Sequence, residues 1–409
     1  MAKESKKVLV PKLRFPEFKD AEGWHLTHGD QLFDAINDRS PSEALPILAI
    51  TQEYGAIPRD QIDYHVSVTE QSIESYKVVE KGDFIISLRS FQGGIEYSNY
   101  RGICSPAYVI LRRKGDGSDG YFRHLFKSAR FIQQLTRNIE GLRDGKMISY
   151  KQFSEQQVPV PSPAEQKKIA ECLSSLDELI AAQGRKVEGL KTYKRGLMQQ
   201  LFPREGENFP RLRFPEFRDV PEWTDKKLSA VIDLVSGLHL SPDEYSIDGD
   251  IPYFTGPSDF SNDVEGASKW TKASSNIAKE NDTLITVKGS GVGEIWYLEI
   301  PSVAIGRQLM AVRAHHDCSN RFIFQLLLTK SHRFEDLAAG NLIPGLARGD
   351  VLNLVAPIPE KDEQEKIASF LSSLDDRIAH ESKQLDILKS HKKGLMQKLF
   401  PLLGEKTHD

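Results

Sequence analysis

The chain has 409 residues, which at roughly 150 residues per domain predicts two to three domains. It is 39% hydrophobic and 27% charged, fitting a globular chain, and no run reaches the roughly 18 apolar residues that would cross a bilayer. The 54 Lys+Arg and 58 Asp+Glu give a net charge of -4, which excludes a uniformly basic protein, so any nucleic-acid role must rest on local patches.

The chain starts without the apolar stretch of a signal peptide, and its three widely spaced cysteines, Cys104, Cys172 and Cys318, form no CxxC pair. Both features predict a cytoplasmic protein without a disulfide framework. Residues 11–24, PKLRFPEFKDAEGW, form a leader. After it, strands are expected at 47–51, over the apolar run FIIS at 84–87 and at 107–111, with a helix at 121–135.

The loop after FIIS carries a cation, small polar residues and glycines, which can approach phosphates and base edges. Its candidates for DNA contact are Arg89, Ser90, Gln92, Tyr97 and Arg101, with Tyr100 nearby. Arg reads guanine and Gln reads adenine through paired hydrogen bonds. A second candidate loop holds Arg143, Lys146 and Lys151, with Ser149 among them.

A long helix follows Pro159, Pro161 and Pro163 and is stopped by Pro203. Ile169, Leu173, Leu176, Ile180, Gln183, Val187, Leu190, Lys194, Leu197 and Leu201 are spaced alternately four and three apart, which is the seam of a coiled coil.

The plan then repeats. The leader returns at 210–223 as PRLRFPEFRDVPEW, with nine of 14 positions identical at an offset of 199. Strands are expected at 253–255, over LITV at 284–287, and at 303–304 and 309–312, with a helix at 320–337. The segment LITVKGSGVG aligns with FIISLRSFQGG, pairing Asp282 with Asp83, Thr286 with Ser87 and Lys288 with Arg89. The second set of DNA-contact candidates is Lys288, Ser290, Trp296, Arg307, Gln308, Asn341 and Arg348, with Asn353 beside the last.

Residues 357–401 match 159–203 at 24 of 45 positions. Their seam runs Ile367, Leu371, Leu374, Ile378, Glu381, Leu385, Leu388, Lys392, Leu395 and Leu399. Equal polar layers, Gln183/Glu381 and Lys194/Lys392, specify register. Two helices that each end one of two equivalent modules predict an antiparallel pair within the chain, with a seam of about 50 Å at 1.5 Å per residue. Glu165/Glu363, Gln166/Gln364, Lys191/Lys389 and Gln199/Gln397 repeat off the seam, where packing of helix on helix does not require them. They predict two equivalent outer surfaces for one type of partner.

The expected fold is α+β: two β-rich domains separated by a long antiparallel two-helix coiled coil, with a pseudo-twofold internal repeat. The boundaries are 1–157 for the first domain with its leader, 158–205 for the first helix, 206–355 for the second domain with its leader, and 356–409 for the second helix and tail. Catalytic motifs are lacking. GSGVGE at 289–294 has Glu294 at the third glycine position of a dinucleotide fingerprint, and GLRDGKM at 141–147 is too short for a P-loop. His315, His316 and Cys318 have no second cluster to complete a metal site.

Together these features resemble the specificity subunit of type I restriction–modification systems. The resemblance rests on the two leaders, on VPVPSPAEQKKIAECLSSLD and APIPEKDEQEKIASFLSSLDD, and on KRGLMQQLFP and KKGLMQKLFP. It implies two target-recognition domains, each reading one half of a bipartite, non-palindromic site on double-stranded DNA, with the helices setting the gap. It also implies a non-catalytic chain joined by two methylation subunits that bind S-adenosylmethionine. In the nuclease, two restriction subunits using ATP and Mg2+ join as well. On the residues alone, a stand-alone DNA-binding protein, a coiled-coil adaptor and an enzyme in its own right stay open.

Overall fold

The computed structural model describes residues 9–39, 45–62, 75–137, 148–272, 276–289, 291–340 and 345–401. The first half contains strands β1 (His25–His28), β2 (Phe33–Ile36), β3 (Leu48–Thr51), β4 (Gly55–Pro58), β5 (Lys77–Val79), β6 (Phe84–Ile86), β7 (Glu96–Tyr97), β8 (Gly102–Cys104), β9 (Val109–Arg113) and β10 (Gln157–Val160). Its helices are α1 (Asp119–Phe126), α2 (Ala129–Thr136), α3 (Tyr150–Ser154) and the long α4 (Pro163–Leu201).

The second half contains β11 (Thr224–Lys227), β12 (Ile232–Ser236), β13 (Ile251–Phe254), β14 (Trp270–Thr271), β15 (Ile277–Lys279), β16 (Thr283–Thr286), β17 (Ile295–Tyr297), β18 (Ser302–Ile305), β19 (Leu309–Ala314) and β20 (Val355–Ile358). Its helices are α5 (Asn320–Thr329), α6 (Ser331–Ala339), α7 (Arg348–Leu352) and the long α8 (Lys361–Leu399).

The chain divides into two compact units. Unit 1 is residues 1–184 with 384–409, and unit 2 is residues 185–383. Each unit therefore holds one β-rich domain, the first part of the helix that follows it, and the last part of the other helix.

In unit 1 the main sheet has the order β2-β9-β6-β7, beside the small ladders β3-β4 and β5-β8. In unit 2 the corresponding sheet is β12-β19-β16-β17, and a second four-stranded sheet, β14-β13-β18-β15, contains the parallel pair β13-β18. The central strands β6 and β16 are buried on both faces. Phe84, Ile85 and Ile86, and likewise Leu284 and Ile285, are fully buried.

Two helices expected to be continuous are each split. Residues 121–135 form α1 and α2, because the Ser128 hydroxyl accepts from the Phe131 amide and starts a new helix. Residues 320–337 form α5 and α6, separated at Lys330, whose backbone (φ -105°, ψ 3°) is not helical.

The long helices pair antiparallel within each unit. In unit 1, Ile169 and Leu173 share a core with Leu395 and Leu399, and Lys392 meets Asp177. In unit 2, Leu197 and Leu201 share a core with Ile367 and Leu371, while Lys194 donates to both carboxylate oxygens of Asp375 at 2.6 and 2.8 Å. Leu173, Val187, Leu197 and Leu371 are buried; Leu176, Ile180, Leu190, Leu374, Ile378, Leu385, Leu388 and Leu395 are half-buried, as in a two-stranded coil. The charged residues of the polar layers are ion-paired: Glu381 meets Lys186 at 2.7 Å and Arg377 at 2.9 Å.

The repeated Glu-Gln pair at the start of each long helix is a correction to the outer-surface expectation. Glu165, Gln166, Glu363 and Gln364 are all buried. Arg14 donates from Nε and Nη2 to Glu165 at 2.9 and 2.8 Å, and Arg213 does the same to Glu363 at 2.8 and 2.7 Å. Gln166 accepts from the Ser118 amide and donates to Pro161 O; Gln364 accepts from Ser319 and donates to Pro359 O. Seam periodicity identifies the face turned to the partner helix, but these residues face the leader and loops of their own domain. Lys191, Lys389, Gln199 and Gln397 are exposed.

Three glycines in α4, Gly184, Gly189 and Gly196, have open space where a Cβ would stand. Gly189→Ala is therefore expected to stabilise unit 2 by about 0.5–1 kcal/mol, because helix propensity improves and nothing is displaced. Urea unfolding measures it, and a lower midpoint would contradict the open-space reading.

Candidate nucleic-acid interface

In unit 2 five segments are stitched together at one end of the two sheets. The amide of Val287 donates to Gln308 O at 2.7 Å, and that of Leu346 donates to Val287 O at 2.8 Å. Gly306 donates to Phe254 O, and Leu238 to Ile305 O, both at 2.8 Å. Arg348 Nη1 reaches Leu234 O at 2.8 Å. The connections after β12, β13, β16 and β18 and the segment before α7 thus form one surface.

Glycines permit this closeness. A Cβ on Gly237 would stand 1.9 Å from Gly306 O, and Gly289, at φ +95°, lies against the Gln308 side chain. On this surface Lys288, Arg307 and Arg348 are exposed and Gln308 is half-buried, so four of the candidates read from sequence come together. Lys288 and Arg307 make no ion pair among the described residues. Lys269 joins the same cluster by donating to Thr255 Oγ1 at 3.0 Å. Sequence reading missed it, because it comes from a connection distant in the chain. Trp296 is half-buried and stacks on Phe260 with ring centres 6.0 Å apart. Ser290 and Asn341 lie outside the described residues.

In unit 1 the Arg89 loop is a single helical turn, Ser90–Gly93, held by the Ser87 amide donating to Ser90 Oγ at 2.9 Å. Arg89 and Gln92 are exposed. Ser90 is 1% exposed, which corrects its reading as a surface contact: the turn tucks the hydroxyl under itself to satisfy a backbone amide. Tyr97 is half-buried, packed edge-on against Phe84 at 5.1 Å with Arg123 over its ring at 5.8 Å.

Arg101 pairs with Glu80 at 3.0 Å beside Asp83, at the opposite end of β6 from Arg89. The structure therefore does not bring Arg101 to the Arg89 turn. Lys151 is exposed on α3, and Arg143 and Lys146 lie outside the described residues. Arg59 was missed; its charge and that of Arg89 both act on the Tyr108 hydroxyl.

At the opposite ends of β6 and β16 from these surfaces, both units carry the same brace on a buried aspartate. Arg112 donates to both oxygens of Asp83 at 2.8 Å, and Arg313 donates to both oxygens of Asp282 at 2.9 and 2.6 Å. Asp83 also accepts from the Glu80 amide and Asp282 from the Lys279 amide, which fixes the turn entering β6 and β16. The two units share the frame and differ in the loops it carries.

A profile of the type I restriction modification DNA specificity domain matches residues 27–192 and again 221–390. The chain belongs to the type I restriction–modification specificity family. The specificity subunit is similar to the putative type I restriction enzyme MjaX specificity subunit of Methanocaldococcus jannaschii, at 26% identity over 83% of this chain and 82% of the relative. The MjaVIII specificity subunit of the same organism is 24% identical over 82% of this chain and 81% of its own length.

Among solved structures, the type I S subunit from M. genitalium aligns over 97% of this chain and all of its own, with TM-score 0.61 and 16% identity. A chain from a structure describing complex assembly and conformational transition of the type I R-M system aligns over 97% of this chain and 99% of its own, with TM-score 0.55 and 19% identity. At these identities the structural likeness establishes the fold. The double profile match makes this specificity subunit one with two recognition domains.

Proposed function

We propose that each unit reads one half of a bipartite, non-palindromic site on double-stranded DNA. Unit 1 uses the Arg89 turn, and unit 2 uses the surface holding Lys288, Arg307, Gln308 and Arg348. The observation that carries this reading is the contrast between an equal frame and unequal loops: Asp83–Arg112 and Asp282–Arg313 brace the entry to β6 and β16 alike, while the exposed side chains at the exit of the same strands differ. Residues 1–157 and 206–355 act as readers, and 158–205 and 356–409 set the gap and dock two methylation subunits.

A helix of 39 residues is about 58 Å long at 1.5 Å per residue. That suits half-sites about one DNA turn apart, roughly 34–36 Å. The chain is non-catalytic. S-adenosylmethionine belongs to the methylation subunits, ATP and Mg2+ to the restriction subunits, and the complex works in the cytoplasm. None of the described helices is long and apolar enough to cross a membrane. The net charge of -4 is compatible with this role, because partner subunits complete the positive surface around the DNA.

The test substitutes Arg89→Ala and Lys288→Ala separately in the subunit expressed with its methylation partner, and sequences the modified motif. Each is expected to relax one half of the motif by about 1–3 kcal/mol for a lost base contact. For a lost phosphate contact, binding weakens for all sequences and the slope of log affinity against log salt shrinks by about 1. A single substitution that relaxes both halves contradicts the assignment of one half to each unit.

A further inference from the structure

In unit 1 the Arg89 turn rests on a buried ion pair. Lys127, the residue after α1, meets the Glu96 carboxylate from β7 and donates to Gln52 O, in the turn after β3, at 3.2 Å. The Gln52 amide reaches Arg89 O at 3.5 Å, and a Cβ on Gly93 would stand 2.5 Å from the Gln52 side chain. On the other side of the turn, Gly94, at φ +85°, lies where a Cβ would come within 2.2 Å of Phe126 O. The turn is therefore seated on the last residue of α1 and on Gln52, and Lys127 ties those two seats together.

Glu96 is 2% exposed, and its second oxygen has no partner among the described residues. Burial pushes its carboxyl up and the Lys127 ammonium down, so each charge persists because the other is present. Unit 2 places Trp296 at the position of Glu96, because Thr283 faces Tyr297 as Phe84 faces Tyr97; Trp296 is half-buried against an apolar core, and Lys330 follows α5. Stability alone does not account for the pair, since well-packed apolar residues of similar volume often replace buried ion pairs without loss, and unit 2 has an aromatic residue in place of the carboxylate.

We propose that Lys127 and Glu96 are positioning residues for base reading by unit 1. The pair fixes the seat of the turn and thereby the direction in which Arg89 and Gln92 meet the DNA. This rests on the reading of that turn as a DNA contact.

The test uses the whole subunit assembled with its methylation partner and compares modified motifs for wild type, Arg89→Ala, and the double variant Glu96→Ile with Lys127→Met. The double variant is expected to unfold at or above the wild-type midpoint. It should modify sites with one mismatch in the half relaxed by Arg89→Ala at least tenfold more than wild type, with the other half unchanged. Unchanged strictness in a folded double variant overturns the positioning role. If Arg89→Ala leaves both halves unchanged, the DNA-contact reading itself fails. Should the double variant not assemble, Glu96→Gln keeps a hydrogen-bond partner for Lys127 and is read in the same way: relaxed strictness supports the positioning role, and unchanged strictness overturns it.

Discussion

Glu363→Ala is expected to lower the stability of unit 2 by about 3–5 kcal/mol. The substitution leaves the Arg213 guanidinium inside the junction of leader and helix, where its side chain is 4% exposed. Its remaining bonds are to Val220 O at 2.7 Å and Pro221 O at 3.0 Å, which accept hydrogen bonds but do not balance the charge. Glu165→Ala should do the same to unit 1 through Arg14, which also holds Ala21 O and Glu22 O. Urea unfolding with an unchanged slope is the measurement. The double variant Arg213→Met with Glu363→Leu removes both charges and should cost far less than Glu363→Ala alone. An equal cost would show that packing, and not the uncompensated charge, dominates.

The second large effect is a dependence of unit 1 on pH that unit 2 lacks. His124 is 3% exposed, with Ser174 Oγ at 3.2 Å, Asp177 at 3.8 Å, and Lys392 and Arg123 acting on it. Burial is the largest cause, and with the two cations it outweighs Asp177, bringing the imidazole from 6.5 down to about 4. Between these values the unfolded chain binds a proton that the folded chain refuses, so stability falls as pH drops from about 6.5 to about 4 and is unaffected above.

At 1.36 kcal/mol per unit the loss is about 3 kcal/mol. Unit 2 has Gln325 at this place, donating to Asp375 at 2.9 Å, and does not titrate there. His124→Gln should therefore remove that part of the acid sensitivity of unit 1, read as the difference between the two stability profiles against pH. Parallel profiles from pH 7 to 4 would rule out a buried neutral His124.

The repeat, the coiled-coil seam and the β-rich character of both domains were legible because they are periodic or duplicated in sequence. The partners within the junction were not. Duplication marks Glu165 and Glu363 as kept, but only the fold shows that each faces an arginine some 150 positions away. Ser90 follows a strand among glycines and reads as a surface residue, yet a single helical turn reverses its side chain. Arg101 lies near Arg89 in sequence but follows a return through β7, which carries it to the far end of the sheet. Lys127 and Glu96 were invisible because a buried ion pair has no sequence period, and their partner Gln52 comes from a separate hairpin.

The central claim is that two unlike readers on one frame address two unlike half-sites. Single-molecule methylation sequencing of DNA from cells expressing this subunit with its methylation partner tests it most directly. One interrupted, non-palindromic motif with two specified halves is the predicted result, and a continuous palindrome as the sole modified motif would contradict it.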